Sequence, residues 1–427
     1  MSKPRRDFQR PPPPNPELVQ LEVLRVGAQG DGVAEGPVYL PFTLPGERVL
    51  ARVQAGRGAV VEVLAPSLER QTPPCPHFHA CGGCALQHWS PPGYLTWKAD
   101  VIREALAREN LETEILPTAP SPPGSRRRLA LHARPERPGV ARLGYKARGS
   151  WTLIDIDVCP IADPRLVDSF PALRRLAAAF LEHPRSAPTL HVTWTETGLD
   201  VDVTGVERRT GGLSADAQRR AADSAAADGL ARVTLAGETL YQARRPLVRF
   251  GRAAVALPPG GFLQATPQGE QAMVDIVVEA AGRATRVADL FCGSGAFSFR
   301  LAERAGVLAA DASAEAIAAL TEALGSTPGL KNITATTRDL FRRPMLAQEL
   351  KGIEAVVFDP PRAGAAAQAA EIASSGAARA IGVSCNPATF ARDARILVDA
   401  GFRLERAAPV DQFLWSPHVE LVGVFGR

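Results

Sequence analysis

Two short stretches of this sequence carry residues that could perform covalent chemistry, and the first contains a lone cysteine. In VSCNPATFARD (383–393), Cys385 ends an apolar run and is followed at once by Asn386 and Pro387, which typically begin a helix. The positive end of a helix dipole stabilises a thiolate, so we expect a lowered pKa for Cys385 and a nucleophilic role. A small buried hydrophobe is the alternative.

The second stretch supplies carboxylates. The run AVVFDP (355–360) ends in Asp359, and the two prolines of DPPR fix the backbone that holds this side chain. Near the C-terminus, PHVE places Glu420 two residues after His418 at the start of the last predicted strand. We therefore expect both side chains on one face and Glu420 as a candidate base, with surface positions as the alternative.

A glycine turn follows another apolar run. FCGSG extends from Phe291 to Gly295, and the next predicted strand ends in Asp311 about twenty residues later. A glycine turn and a following acid suit a nucleoside with ribose hydroxyls. Because Phe297 replaces the third glycine of the dinucleotide fingerprint, S-adenosylmethionine fits better than NAD. A plain tight turn is the alternative.

These motifs need a fold that brings them together. From about residue 263 onward, short unbroken apolar runs alternate with alanine-rich helical stretches, which predicts an α/β fold with a doubly wound parallel sheet. The last two runs predict an antiparallel pair at the end of this sheet. Ligands of such sheets bind outside the carboxyl ends of the strands, where Asp359, Cys385 and the glycine turn would meet.

The remaining sequence differs in texture, and 427 residues are too many for one ordinary core. We expect a helix from Pro92 to Asn110. We predict strands around 128–133, 140–145, 151–157, 190–203 and 231–240. The domain prediction is a disordered tail (1–16), a small antiparallel barrel (17–66), a mixed α+β central domain (67–262) and the catalytic domain (263–427).

Four of the six cysteines, Cys75, Cys81, Cys84 and Cys159, lie in the first half of the chain. In a cytosolic protein their spacing favours a metal site over disulfides. The spacing suits zinc as well as a [4Fe–4S] cluster, and mixed zinc ligation would use the nearby histidines His77, His79 and His88.

The charge is uneven, although the formal net charge is only +4. Residues 126–148 hold eight cationic side chains and one carboxylate, which can match a phosphate backbone; a solvated surface is the alternative. No run of about 18 apolar residues and no secretory-type start occurs, so we expect a cytoplasmic protein with no membrane partner.

DLFCGSGAFS, DPPRAG, SCNPATFARD and SPHVE, in this order and spacing, resemble the uracil-C5 RNA methyltransferase family, which makes 5-methyluridine in tRNA and ribosomal RNA. The resemblance implies a Rossmann-like class I methyltransferase domain. Residues 17–66 look like a TRAM domain that binds RNA, and the four early cysteines look like the iron-sulfur site of the ribosomal RNA branch.

The resemblance also implies roles for individual residues. Cys385 would add as a thiolate to C6 of uracil, C5 would then take a methyl group from S-adenosylmethionine, and Glu420 would remove the C5 proton. Contacts to the cofactor or the target base would come from Gln264, Phe291, Gly293, Gly295, Asp311, Asp339 and Asp359. The [4Fe–4S] cluster would be structural, with a redox role as the alternative. RNA must expose its uracil, so we expect base flipping or a looped strand.

Three positions depart from the family pattern: Ala296 and Thr266 stand where Asn is common, and Asp311 where Glu is common. These changes could weaken cofactor binding but leave nucleophile and base intact, so we expect an active, monomeric enzyme. Ribosomal RNA is the expected substrate, and tRNA is the alternative. A non-enzymatic alternative is an inactive RNA-binding assembly factor on the same scaffold.

Overall fold

The structure, a computed structural model, describes residues 17–137, 139–207 and 212–427. The predicted disordered tail, residues 1–16, lies outside the described residues. The chain forms two compact units. Described residues up to Thr72 together with Ala85–Gly93 form one, and those of Pro73–Cys84 and Tyr94–Arg427 form the other. In the ranges described, no helix is long and apolar enough to span a bilayer.

The first unit contains a small closed barrel. Its strands are β1 (Glu17–Val26), β2 (Gly32–Ala34), β3 (Val38–Leu40), β4 (Arg48–Gln54) and β5 (Arg57–Ala65). They follow the order β1-β2-β3-β5-β4, and the pairs are antiparallel except β3 with β5. Val23, Leu40 and Val49 fill the interior. The predicted small barrel is confirmed.

The following elements include a long helix and the strands of a seven-stranded sheet. They are α1 (Pro91–Arg108), β6 (Glu114–Ile115), β7 (Ala119–Pro120), β8 (Arg128–Arg137), β9 (Val140–Lys146), β10 (Leu153–Asp155), α2 (Pro164–Asp168), α3 (Phe170–Ala179), β11 (Thr189–Thr195), β12 (Gly198–Thr204), α4 (Ala215–Ala227), β13 (Arg232–Leu235) and β14 (Glu238–Gln242). The sheet has the order β10-β9-β8-β11-β12-β13-β14. The strand predicted over 190–203 is instead the β11–β12 hairpin, because the chain turns before Gly198, whose φ of 122° favours glycine.

The last part of the chain supplies most strands of the largest sheet and also a separate two-stranded sheet made of its first two strands. Its elements are β15 (Leu247–Phe250), β16 (Ala253–Ala256), α5 (Pro267–Ala281), β17 (Arg286–Leu290), α6 (Ser298–Leu301), β18 (Gly306–Asp311), α7 (Ala314–Gly325), β19 (Ile333–Thr337), β20 (Ala355–Phe358), α8 (Ala366–Ser374), β21 (Arg379–Ser384), α9 (Pro387–Asp399), β22 (Arg403–Asp411) and β23 (Glu420–Gly426). The order is β19-β18-β17-β20-β21-β23-β22-β6, and β7 also pairs with β22. The strands β17 to β21 are parallel, and β23 is antiparallel to both neighbours. The predicted doubly wound sheet is confirmed.

Helices cover both faces of this sheet. Helix α5 packs on one face through Met273 and Val277, while α9 packs on the other through Phe390 and Leu397. Helix α1 joins the second face, where Ile102 is fully buried, and β6 and β7 extend the edge at β22. Residues 94–120, whose texture suggested the central domain, therefore complete the catalytic sheet through pairings that are distant in sequence.

A pair of glycines determines how α9 sits on the sheet. Gly382 on β21 pairs directly with Gly423 on β23. A Cβ at Gly423 would overlap the Phe390 ring, and one at Gly382 would lie 3.1 Å from that ring and 2.8 Å from Phe358. The two positions without side chains thus form the slot that accepts Phe390. Since Cys385 lies in the loop that enters α9, this packing also fixes the position of the thiol.

We expect Gly423→Ala to destabilise the protein by about 1–3 kcal/mol, because Phe390 must leave its slot and no space is available beside it. Gly376→Ala is the matched control, since a Cβ there meets no atom within 4 Å. Thermal unfolding of both variants against wild type measures the difference. Equal midpoints for the two variants would contradict this account of the slot.

Candidate active site

The predicted catalytic residues meet at the carboxyl ends of adjacent strands. Asp359 follows β20, Cys385 follows β21 and Glu420 begins the antiparallel neighbour β23. Their charges act on one another: Glu420 raises the pKa of Asp359, and both carboxylates raise the pKa of Cys385. The structure therefore brings these three residues into one crevice, as the strand-end argument predicted.

Hydrogen bonds tie the cysteine loop to the DPPR loop. Asn386 caps α9 by accepting from the Ala388 N–H at 3.2 Å, and its Nδ2 donates to the Arg362 carbonyl at 2.9 Å. The Thr389 hydroxyl donates to the same carbonyl at 3.2 Å. Asp393, almost fully buried on α9, accepts from the Ala365 N–H. The polar residues of SCNPATFARD thus hold the two loops in a fixed relation.

The prediction of a lowered pKa for Cys385 is wrong for the protein without substrate. Partial burial, together with the charges of Glu420 and Asp359, raises the pKa of its thiol to about 11. The Arg362 side chain acts in the opposite direction and stabilises the thiolate. Desolvation and two nearby carboxylates therefore outweigh the helix terminus, and at neutral pH the resting residue is a thiol.

Glu420 has the environment of a base that works near neutrality. The residue is only 5 % exposed, and burial raises the pKa of its carboxyl to about 7. A hydrogen bond from Gln412 and the positive charges of Arg362 and Lys98 oppose this rise. Strand β23 begins at Glu420, and His418 lies exposed before it with its Nδ1 3.4 Å from Arg362 Nη2. The prediction that His418 lies on the same strand as Glu420 is therefore wrong, because the strand begins only at Glu420.

Gln412 is a residue that sequence reasoning missed. Its Nε2 donates to Gln264 Oε1 at 2.7 Å and to Glu420 Oε1 at 2.9 Å, while its Oε1 accepts from the Ala265 N–H at 2.8 Å. Gln264 in turn donates to Asp359 Oδ2 at 3.4 Å. Gln412 thus links the predicted contact residue Gln264 to the base. Gln412 belongs to no recognised sequence motif. Only its position directly after a predicted buried strand could have suggested it from the sequence.

Part of the basic segment at residues 126–148 supports this site instead of presenting a solvated surface. Arg127 pairs with Glu270 at 2.6 Å and donates to the Gln264 carbonyl at 3.1 Å. Arg128 donates to the Leu263 carbonyl at 2.7 Å, and burial lowers the pKa of its guanidinium to about 10. These arginines hold the segment GFLQAT (261–266), which contains Gln264 and Thr266. The sequence pattern alone could not distinguish them from the exposed Arg137, Arg142 and Arg148.

The glycine turn lies beside these residues. Phe291 adopts a φ of 63°, unusual for a residue with a side chain, and its ring contacts Phe341 with 5.5 Å between centroids. Asp311 accepts from the Gly293 N–H at 2.9 Å and from the Ser313 N–H at 2.8 Å. Its carboxylate therefore fixes the turn to the end of β18.

Two features of the turn fit a bound polar ligand. Gly293 has a φ of 53°, and a Cβ there would point into space with no atom within 4 Å. Asp289 is fully buried and accepts from the Ser298 hydroxyl, but its other oxygen has no partner among the described residues. Burial, with Asp359 and Asp311 nearby, raises the pKa of Asp289 to about 7. A cofactor that occupies this turn could complete these contacts, as S-adenosylmethionine would.

The other predicted contact residues have local structural partners. Gly295, with a φ of 97°, packs against Phe299 and Leu320 so closely that a Cβ would not fit. Asp339 accepts from the Phe341 and Arg342 N–H groups, so it caps the turn that carries Phe341. Thr266 caps α5 by accepting from the Gly269 N–H at 3.0 Å.

The four early cysteines do not form a recognisable metal site. All four are half-buried, and burial, together with the charges of Cys75 and Cys81, raises the pKa of Cys159 to about 11. The loop lies against the β9–β10 turn, where Gly82 donates to the Lys146 carbonyl at 3.0 Å. Over the ranges that the structure describes, no three His, Cys, Asp or Glu residues are arranged to hold a metal ion. Sequence spacing indicates the ligand type but does not set the distances between sulfur atoms.

Comparison with known proteins agrees with the geometry. A tRNA (uracil-5-)-methyltransferase family profile matches residues 256–426. An uncharacterised RNA methyltransferase of Caulobacter vibrioides is 61% identical over 96% of this chain and 100% of its own length. The 23S rRNA (uracil(1939)-C(5))-methyltransferase of Alkalilimnicola ehrlichii is 34% identical over 96% of this chain and 97% of its own length.

A solved structure supports the fold over nearly the whole chain. The tRNA (uracil-54, C5)-methyltransferase of Pyrococcus abyssi, in complex with S-adenosyl-L-homocysteine, superposes with a TM-score of 0.71 at 21% identity and covers 95% of this chain and 99% of its own. The strand-end site, the glycine turn and the full-length relatives lead to one conclusion. The chain belongs to the uracil-C5 RNA methyltransferase family and is an S-adenosylmethionine-dependent RNA methyltransferase.

Proposed function

We propose that this enzyme methylates uracil C5 of ribosomal RNA and that Cys385 is its nucleophile. The observation that carries the mechanism is the shared crevice of Cys385, Asp359 and Glu420, in which each charge acts on the others. The ribosomal substrate is supported by the relative of Alkalilimnicola ehrlichii, which carries a 23S rRNA activity in its name and aligns over almost its full length.

The reaction begins at C6 of the uracil. The Cys385 sulfur forms a bond to C6, the electron pair of the C5–C6 double bond moves to C5, and the thiol proton must leave the sulfur. Since the resting thiol has a pKa of about 11, thiolate formation depends on Arg362 and on protonation of a neighbouring carboxyl. We assign the carboxylate form of Asp359, whose pKa burial raises, to accept that proton; one negative charge then moves from Asp359 to the sulfur and the total charge of the crevice is unchanged.

When bound, S-adenosylmethionine would supply the methyl group that C5 takes up, and S-adenosylhomocysteine would be the leaving product. We assign the binding of this cofactor to Phe291, Gly293, Gly295, Asp311 and Asp339. We assign Gln264 and Asp359 to contacts with the cofactor or the target uracil. Glu420 then takes the C5 proton. The electrons of the C5–H bond restore the C5–C6 double bond, the bond from C6 to sulfur breaks, and Cys385 is regenerated.

We assign RNA contacts to exposed groups outside the crevice. Trp151 is 79% exposed, with the Lys146 ammonium 3.9 Å from its ring centroid, and Arg137, Arg142 and Arg148 are also exposed. Cations that bind phosphates beside an aromatic surface that stacks on bases are typical of single-stranded RNA sites. The N-terminal barrel, residues 17–66, is assigned as a second RNA-binding element, as its TRAM resemblance implies.

The substrate is tested by mapping 5-methyluridine in ribosomal RNA and tRNA from cells with and without the protein. We expect one or a few ribosomal sites to lose the methyl group and to regain it with wild type but not with Cys385→Ala. Loss confined to tRNA would replace ribosomal RNA by tRNA as the substrate. Restoration by Cys385→Ala would contradict the nucleophile.

We expect Gln412→Leu to lower the methylation rate at pH 7 by about tenfold. Loss of its hydrogen bond moves the pKa of Glu420 above about 7, so less carboxylate is present, and the rate recovers as the pH rises above the new value. Gln368→Leu is the matched control, since Gln368 makes buried hydrogen bonds to Met345 away from the crevice. The pH profiles of both variants test this; identical profiles would argue against the role of Gln412.

We also propose that Cys75, Cys81, Cys84 and Cys159 bind a [4Fe–4S] cluster. The support is their resemblance to the family's cysteine spacing and the effect of Cys75 and Cys81 on Cys159, which requires proximity. The cluster would connect the loop of residues 75–84 to the end of β10 and supply no step of methyl transfer.

Protein purified without oxygen should therefore contain iron and sulfide in equal amounts, and Cys159→Ala should lose both. Cys292→Ala, which removes a buried cysteine outside this group, should keep them. Wild-type protein with zinc, or with neither iron nor sulfide, would contradict the cluster assignment.

A further inference from the structure

Lys98 on α1 carries a charged group in the interior of the catalytic unit. Its side chain is 0% exposed, and its Nζ lies 2.9 Å from Asp411 Oδ1, which is equally buried. The Tyr94 hydroxyl donates to the other oxygen of Asp411 at 2.7 Å and accepts from the Trp415 N–H. Lysine is almost never fully buried, and removing two charges from water is costly, so this pair needs an explanation beyond packing.

The position of Lys98 relative to the base Glu420 explains why this buried pair is present. Asp411 immediately precedes Gln412, whose amide donates to Glu420. The Lys98 ammonium also donates to the carbonyl of His418, two residues before Glu420. Lys98 therefore connects the end of β22 to the segment that enters β23. These two segments carry the hydrogen-bond donor of the base and the base itself.

The charge of Lys98 also acts electrostatically on Glu420. The groups that act on Glu420 from its surroundings are Gln412 directly after β22, Lys98 on α1 and Arg362 in the DPPR loop, all of which lower its pKa. Glu420 in turn raises the pKa of Asp359 and of Cys385. Burial lowers the pKa of the Lys98 amine, and the charge and hydrogen bond of Asp411 oppose this lowering.

We propose that Lys98, held by Asp411, is a positioning residue for Glu420: its ammonium group joins the two segments that flank the carboxylate and stabilises the carboxylate's negative charge. This inference rests on the proposed function, in which Glu420 removes the C5 proton. Lys98 itself does not touch the uracil in this scheme. Its contribution falls on the last step, after the methyl group has reached C5.

The step makes a distinct prediction. When Glu420 is a carboxylate, it accepts the C5 proton, the C5–C6 double bond reforms and the sulfur of Cys385 leaves. When Glu420 is protonated, the C5 proton stays and the RNA remains covalently bound to Cys385. Loss of Lys98 should therefore lengthen the life of the covalent adduct, whereas a packing defect should reduce formation of the adduct.

The experiment is a single-turnover reaction of Lys98→Met with S-adenosylmethionine and a labelled RNA fragment that the wild type methylates, followed between pH 6 and 9 on denaturing gels. We expect adduct release at pH 7 to slow by about tenfold, and the pH of half-maximal release to rise by about one unit. Asp411→Asn should shift release in the same direction, because Asp411 raises the pKa of Lys98 and its loss favours the neutral amine.

Ile102→Ala is the matched control. Ile102 lies one turn further along α1, is fully buried and carries no charge, so its truncation lowers stability without changing the field at Glu420. Its adduct should be released as in wild type. Should Lys98→Met fail to fold, Lys98→Met combined with Asp411→Asn leaves no unpaired buried charge, and slow release is expected there too.

The outcomes separate the inference from the proposed function. Wild-type release rates and an unshifted pH profile in the folded Lys98 variants, with only a lower thermal midpoint, would show a structural role and overturn the inference alone. A wild-type enzyme that methylates uracil without any covalent adduct would overturn the thiolate mechanism and this inference with it.

Discussion

Burial of three acidic groups in one crevice is the constraint on which the active site depends. Cys385, Asp359 and Glu420 each have a pKa above the usual value for their type, mainly because burial disfavours their charged forms. Such a crevice favours the state with the fewest charges. A thiolate there requires a neutral neighbour or a nearby cation, and the chain places Arg362 near Cys385 and Glu420 and Lys98 near Glu420.

The fold meets this constraint with elements from distant parts of the sequence. The parallel strands deliver Asp359 and Cys385, the antiparallel β23 delivers Glu420, and α1 supplies the buried cation. Gln412 then joins three segments through one amide group. An amide suits this place because it donates and accepts without adding charge.

The sequence was sufficient to predict the doubly wound sheet and the meeting of Asp359, Cys385 and the glycine turn, because strand ends in parallel sheets share one edge. It was not sufficient for Gln412 or Lys98, since Lys98 bonds to a residue 313 positions away and Gln412 to one 148 positions away. The pKa of Cys385 was predicted in the wrong direction because a helix terminus is visible in sequence, whereas burial and the approach of Glu420 are not. The arginines at 126–128 could be taken for exposed surface residues because their burial and their partners are likewise not visible in the sequence.

The bond between Lys98 and Asp411 spans 313 residues, and this has a consequence for synthesis of the chain. A ribosome releases α1 long before β22 and β23 are synthesised. Until then, the apolar face of α1 and the amine of Lys98 are exposed to water or make transient contacts with other segments. Contacts of such sequence separation form late and slow the folding of a domain. The nucleophile at Cys385 is therefore made before the parts that hold the base, and a growing chain acquires activity only after its last strand has been added to the sheet.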